Sequence, residues 1–302
     1  MSLAWKKIVW IVVAGSSLAL VCTLVLRKRE ASIVQVEKSV EEGPVRPAGM
    51  AESVAAHGAV SFVALPPALP HSRPAALLGA EMFCDHRLPR TSRLSCAACH
   101  LLNEGGTDGR VRGGVLTRPV VNAVFSDIFL HDGSVTGLTQ VIRLMYESAD
   151  FAGGRGALEK RIALLQKDSE LGRRFAATYP DGLTASNVVD SIVQYMHTRP
   201  LLSYGAPFDL FCGGRTNALD AVQMEGLELF RRECLSCHDG ATLGARRIHE
   251  GKKVPALRGI SNRRVFFGDG SCGNLEDAVM RMGGDALGVA EKTALVSFLR
   301  AL

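Results

Sequence analysis

Two pentapeptides constrain this 302-residue chain more than anything else in it: Cys96-Ala97-Ala98-Cys99-His100 and Cys234-Leu235-Ser236-Cys237-His238. Each reads Cys-x-x-Cys-His, the spacing at which two thiols on one helical turn form thioethers to haem vinyl groups and the next imidazole reaches the iron. With 8 Cys and 8 His in the chain, two such matches would arise by chance with a probability on the order of 0.0001. A zinc site built from Cys pairs needs no His after both, and a thioredoxin-like motif needs a βαβ setting that the pattern lacks. The chain is therefore expected to fold around two covalently bound haems c. Of the other four, Cys22 falls in the apolar N-terminal segment and reads as a lipid-facing thiol, and Cys84, Cys212 and Cys272 read as buried free thiols, with a Cys212–Cys272 pairing as the alternative.

Past each pentapeptide the sequence repeats. Leu130-His131-Asp132-Gly133-Ser134, running through Leu138 to Met145, returns as Phe267-Gly268-Asp269-Gly270-Ser271, running through Leu275 to Met282, at an offset of 137. The two haem histidines are 138 apart, and Pro119 and Pro255 fit with one residue of slip. This is one haem domain duplicated. The expected fold is all-α: two cytochrome c-like haem domains related by internal duplication, preceded by an N-terminal transmembrane helix. Apolar residues at Ile162, Leu165, Leu171 and Phe175 predict helix between Leu158 and Thr178. Thr184 or Ser186 can cap a second helix ending before Pro200, and Lys292–Leu302 suits a terminal helix. No stretch reads convincingly as a strand.

The charge is concentrated. The formal net charge is +5, and Lys6, Lys7, Arg27, Lys28 and Arg29 account for all of it, so the rest of the chain sums to zero. That excludes a basic nucleic-acid face. Between those cations, Ile8 to Leu26 is an uncharged stretch of about 19 residues, long enough to cross a bilayer. It reads as an uncleaved anchor, with a long signal peptide as the alternative. Residues 31–74 carry Glu37, Glu41, Glu42 and six prolines and read as a tether. The expected division is 1–30 anchor or signal segment, 31–74 Pro-rich linker, 75–205 first haem domain and 206–302 second haem domain. Haem c is attached outside the cytoplasm, so the head is expected on the periplasmic face of a bacterial inner membrane.

Leu275, Ala278, Val279 and Met282 follow helical spacing, and a Met well downstream of Cys-x-x-Cys-His suits axial sulfur ligation. Met282 is the candidate for the second iron, with Met280 as fallback. The repeat names Met145 for the first; were it bound, the protein would only transfer electrons.

From about Ala75 to Leu302 the chain resembles the family of dihaem cytochrome c peroxidases and MauG proteins. The resemblance rests on Gly79–Leu88 (GAEMFCDHRL), the first pentapeptide with Gly105-Gly106-Thr107-Asp108-Gly109, Asn122-Ala123 and His131-Asp132-Gly133-Ser134. It continues through Tyr179-Pro180-Asp181-Gly182, Pro207-Phe208-Asp209, Gly226-Leu227-Glu228-Leu229-Phe230, the second pentapeptide, Pro255-Ala256-Leu257-Arg258, and Asp269 through Met282. It implies that His100 serves a peroxidatic haem reacting with hydrogen peroxide, and that His238 with Met282 serves an electron-entry haem. MauG proteins carry Tyr where this chain has Met282, so the likeness leans toward the peroxidases.

The same resemblance sets further expectations. A distal acid is expected about ten residues after Gln140, which gives Asp150, with Glu147 three residues earlier. A carboxylate there would move a proton between the two peroxide oxygens. His131 stands where the family commonly has an interhaem Trp, Ser134 stands where it has Arg, and residues 101–122 contain no His. His131 is a further candidate distal base beside an interhaem or surface role. Arg258 is expected to pair with a haem propionate, and an interdomain calcium site is implied with Thr117 at a ligand position usually filled by Asn. The implied partners are hydrogen peroxide, a small cytochrome c, copper protein or quinol-linked donor, the membrane through the N-terminal helix, and a second copy in a homodimer. The implied reaction is peroxide reduction to water. The alternatives are MauG-like oxidation of a partner protein and a non-enzymatic dihaem carrier.

Overall fold

Helices dominate because the apolar residues recur at helical spacing and the helix starts carry side-chain caps. The structure, a computed structural model, describes residues 62, 64–65, 70–198 and 201–302. Arg73–Cys84 (α1) begins at Ser72, whose hydroxyl accepts from the Ala75 amide, with Pro74 in the first turn. The single turn Cys96–Cys99 (α2) follows. Leu138–Glu147 (α3), Ala157–Leu165 (α4), Ser169–Thr178 (α5) and Ala185–Met196 (α6) complete the first half. The second half contains Pro207–Cys212 (α7), Ala221–Glu233 (α8), Leu275–Arg281 (α9) and Val289–Arg300 (α10). The stretch expected as helix from Leu158 to Thr178 is two helices, because the Asp168 carboxylate caps α5 by accepting from the Leu171 amide. Of the two proposed caps for α6, Thr184 is the one used, accepting from the Asn187 amide.

The all-α expectation is corrected: the chain is mostly helical with three small antiparallel sheets. Val111–Arg112 (β1) pairs with Val115–Leu116 (β2), Ile128–Phe129 (β3) with Val135–Thr136 (β4), and Ile248–His249 (β5) with Lys252–Lys253 (β6). Two-residue strands are too short for alternation to register in the sequence. The first ribbon turns on Gly113 and Gly114 and the third on Glu250 and Gly251, all at positive φ as primed hairpin turns require. The N-terminal membrane span, Ile8 to Leu26, lies outside the described residues, and no helix among the described residues is long and apolar enough to cross a membrane.

The strands reveal how far the duplication extends. The first ribbon maps onto the third at the same 137-residue offset, and the Phe129–Val135 pair maps onto an isolated bridge between Phe266 and Cys272. Leu130 and Phe267, equivalent residues, both adopt positive φ, at 64° and 63°. The halves also grip each other reciprocally. The Leu116 amide donates to the Gly268 carbonyl at 2.8 Å, and the equivalent Lys253 amide donates to the His131 carbonyl at 2.7 Å.

Each half has its own apolar core. In the first, Leu78, Met82, Phe83, Tyr146, Phe175, Val188 and Ile192 pack together; in the second, Phe208, Leu227, Phe230, Phe298 and Leu299 do. Burying each such side chain contributes roughly 1.5–3 kcal/mol. Two glycines let the principal helices touch. A Cβ on Gly79 of α1 would lie 1.7 Å from the Ser191 carbonyl oxygen of α6, and one on Gly226 of α8 would lie 2.0 Å from the Ala294 oxygen of α10. The tether is not wholly detached from the head: Phe62 is buried edge-on against Phe208, ring centroids 5.3 Å apart.

Candidate haem sites

Each helix crossing sets up a histidine. Four residues after Gly79, Phe83 places its ring 6.5 Å from that of His100; four after Gly226, Phe230 stands 6.5 Å from His238. The Cys-x-x-Cys turns are alike as well. The His100 amide donates to the Cys96 carbonyl and the His238 amide to the Cys234 carbonyl, each at 2.9 Å. Sequence reasoning did not single out Phe83 and Phe230, although the shared Gly-x-x-x-Phe spacing was there to be read.

The imidazoles are fixed by the same device. His100 Nδ1 lies 3.1 Å from the Gly106 carbonyl and His238 Nδ1 lies 3.2 Å from that of Leu243. A proton on Nδ1 donates there and leaves the Nε2 lone pair for a metal. Burial pushes the pKa of both rings down, favouring this neutral form. Burial also pushes the Cys96 thiol up to about 12 and the Cys234 thiol up to about 11. None of the four motif cysteines is in a disulfide. Two thiols and one oriented imidazole per turn, beside a buried Phe, form a donor set that fits haem c.

The other sequence-predicted residues scatter around these sites. Tyr146 of α3 is buried with its hydroxyl 3.9 Å from Cys96 Sγ; Glu147 follows it, hydrogen-bonded to Arg143, and Asp150 lies exposed just beyond the helix. His131 is exposed at the rim of a cavity of about 330 Å³ between the halves, which neither Glu147 nor Asp150 lines. Met282 lies just past α9 and is 63% exposed; Met145 is 43% exposed.

Arg258 is 1% exposed inside the second half, ion-paired to buried Asp209, with its guanidinium carbon 4.5 Å above the Phe208 ring. Thr117 Oγ1 donates to the Arg110 carbonyl and accepts from Arg112. Among the described residues no group of three or more His, Cys, Asp or Glu is placed to hold a metal ion. Of the other thiols among the described residues, Cys212 and Cys272 are buried and not in a disulfide, whereas Cys84, expected buried, is exposed at the end of α1.

Fold and donor sets define a duplicated c-type haem protein. Residues 73–217 match the family model for di-haem cytochrome c peroxidase. The cytochrome c peroxidase Ccp of Escherichia coli K12 is 31% identical over 72% of this chain and 55% of its own length, so the chain spans about half of that relative. A cytochrome c551 peroxidase of Nitrosomonas europaea is 28% identical over 77% of this chain and 81% of its own. A methylamine utilization protein MauG of Methylorubrum extorquens is 26% identical over 70% of each. Among solved structures, a MauG-like protein associated with microbial copper homeostasis shares the fold at a TM-score of 0.69 and 19% identity, covering 86% of this chain and 95% of its own. The chain belongs to the di-haem cytochrome c peroxidase family, and that membership implies two haem c cofactors.

Proposed function

We propose that the protein is a dihaem c-type peroxidase working outside the cytoplasm, reducing hydrogen peroxide to water with electrons from a small redox donor. The observation that carries this reading is the duplicated donor set, two thiols and an imidazole whose Nδ1 faces a carbonyl, within a chain of this family. When bound, two haems c supply the redox chemistry by which donor electrons reach peroxide. Cys96, Cys99 and His100, in residues 75–205, would hold the peroxidatic group. Cys234, Cys237, His238 and Met282, in residues 206–302, would hold the electron-entry group. Met282 is mostly exposed and not committed to the core, which leaves its thioether available. Glu147, the last residue of α3, and Asp150, just beyond it, follow Tyr146, whose hydroxyl approaches Cys96, and they are the carboxylates proposed to serve the first site. A carboxylate oxygen there takes a proton from the inner peroxide oxygen and returns it to the leaving oxygen.

A second reading rests on Met145, which is half-exposed at the position equivalent to Met282. With Met145 as a sixth ligand the protein is an electron carrier. Steady-state peroxide turnover with a reduced donor tests the proposal, and no turnover in the half-reduced protein would sink it. The oxidised spectrum separates the two readings: a high-spin component accompanies the peroxidase, two low-spin His/Met signals the carrier.

A further inference from the structure

Three cations meet where the halves touch, and no carboxylate among the described residues answers them. Arg263 of the second half runs over the loop after His100, its Cγ 3.2 Å from where a Gly105 Cβ would lie. Its Nη1 and Nη2 donate to the Ala256 and Arg258 carbonyls, while its buried Nε has no partner among the described residues. Arg118 of the first half also has a buried Nε without a partner among the described residues; its backbone faces the His100 ring and its Nη2 lies 3.1 Å from where a Gly268 Cβ would be. Among the described residues the Lys253 ammonium donates only to the Ile128 carbonyl, at 3.2 Å, beside the Phe129 ring. Burial pushes Lys253 down to about 8, with Arg118 and Arg263 adding repulsion, and burial alone brings Arg263 down to about 10.

Like charges gathered out of water without a counterion are unfavourable unless an anion completes them. The unfilled guanidinium N–H groups point to an oxygen acceptor, and planar forks suit a carboxylate. The adjoining cavity continues the same polarity, with Arg118, Lys252 and Arg281 on its wall against one acid, Asp269. We infer that Arg118, Lys253 and Arg263 form the receptor for haem propionate carboxylates at the junction of the halves, and thereby raise the reduction potential of the haem held there. This rests on the dihaem reading, since each haem brings two such carboxylates.

The test uses the full-length holoprotein, counting haems by the pyridine haemochrome spectrum and measuring midpoint potentials by redox titration. Arg118→Met and Arg263→Met should keep two haems and shift one reduction equilibrium about tenfold toward the oxidised form, about 59 mV for one electron. The shifted potential should also become pH-dependent near neutrality, because a propionate without its cation takes up a proton on reduction. Arg263→Lys should stay within twofold of the parent. Should Arg263→Met fail to fold, Lys253→Gln carries the same expectation. The inference is overturned if the Met variants keep both haems and stay within twofold, or if added inorganic phosphate shifts the parent as far as the substitutions do, since a diffusible anion then fills the cluster. A parent chain with fewer than two haems would instead refute the dihaem reading.

Discussion

Replacing Gly226 by Ala measures how far the second site depends on helix contact. The new Cβ would stand 2.0 Å from the Ala294 oxygen, 2.6 Å from its carbonyl carbon and 2.7 Å from Phe298 Cβ. Carbon and carbonyl oxygen ordinarily approach to about 3.3–3.6 Å, so α8 and α10 must part by roughly 1.3 Å or more. Overpacking of this kind costs about 1–3 kcal/mol, and a clash with backbone belongs at the upper end. Ala gains about 1 kcal/mol over Gly in a helix interior, leaving a net loss of about 2 kcal/mol. Gly172 of α5 is the control: no atom lies within 4 Å of its would-be Cβ and its φ is ordinary, so Gly172→Ala should stabilise by about 0.5–1 kcal/mol. Urea unfolding of the holoprotein, followed by far-UV dichroism and haem absorbance, reads both variants. Because Phe230 sits one turn from Gly226 and faces His238, the native haem spectrum of Gly226→Ala should change too. A Gly226→Ala protein as stable as the parent, or a Gly172→Ala protein equally weakened, refutes the reasoning.

Other outcomes follow from single contacts. Asp209→Ala leaves Arg258 buried without its charge partner and should cost about 3–5 kcal/mol, read as a lower urea midpoint, while Asp209→Leu with Arg258→Met should recover much of it. Asp108 is partly desolvated, which raises its pKa, but Arg112, the Arg110 amide and Thr117 outweigh that and hold it at about 2. Its stabilising contribution is therefore full above about pH 4 and lost as pH falls toward 2, and Asp108→Asn should flatten acid unfolding in that window. Met145→Ala should leave the oxidised spectrum unchanged if the protein is a peroxidase, whereas Met282→Ala should remove a low-spin His/Met signal. Whichever of Glu147→Gln and Asp150→Asn removes the distal acid should lower kcat by about 10²–10⁴.

The two Cys-x-x-Cys-His turns were legible because covalent haem attachment, where it occurs, demands fixed residue types at fixed spacing, which no packing context can relax. The repeat was legible through its turn residues, Asp132-Gly133-Ser134 and Asp269-Gly270-Ser271, whose Asp Oδ1 accepts from the Ser amide in both copies. Strands of two residues carry no periodicity, so the ribbons were invisible even though Gly113-Gly114 marked one turn. Arg258 was drawn toward a propionate by its motif. Its partner Asp209 lies 49 residues away in sequence, a separation only the fold could close. Arg118 and Arg263 gave no signal, because an Arg in a loop reads as solvated until its neighbours are known.

The duplication shows how the charge at the junction departs from the symmetry of the backbone. Backbone pairing is symmetric: Leu116 reaches Gly268 as Lys253 reaches His131. The side chains at these equivalent positions have diverged. Leu116 is buried and apolar, while its counterpart Lys253 brings an ammonium to the same kind of place. His131 carries a ring at the turn, while its counterpart Gly268 carries none, and Nη2 of Arg118 lies 3.1 Å from where a side chain at 268 would begin. A two-fold backbone frame thus holds an asymmetric set of charges. Two haems in near-identical sites need some such difference if their potentials are to differ and electrons are to run from one to the other.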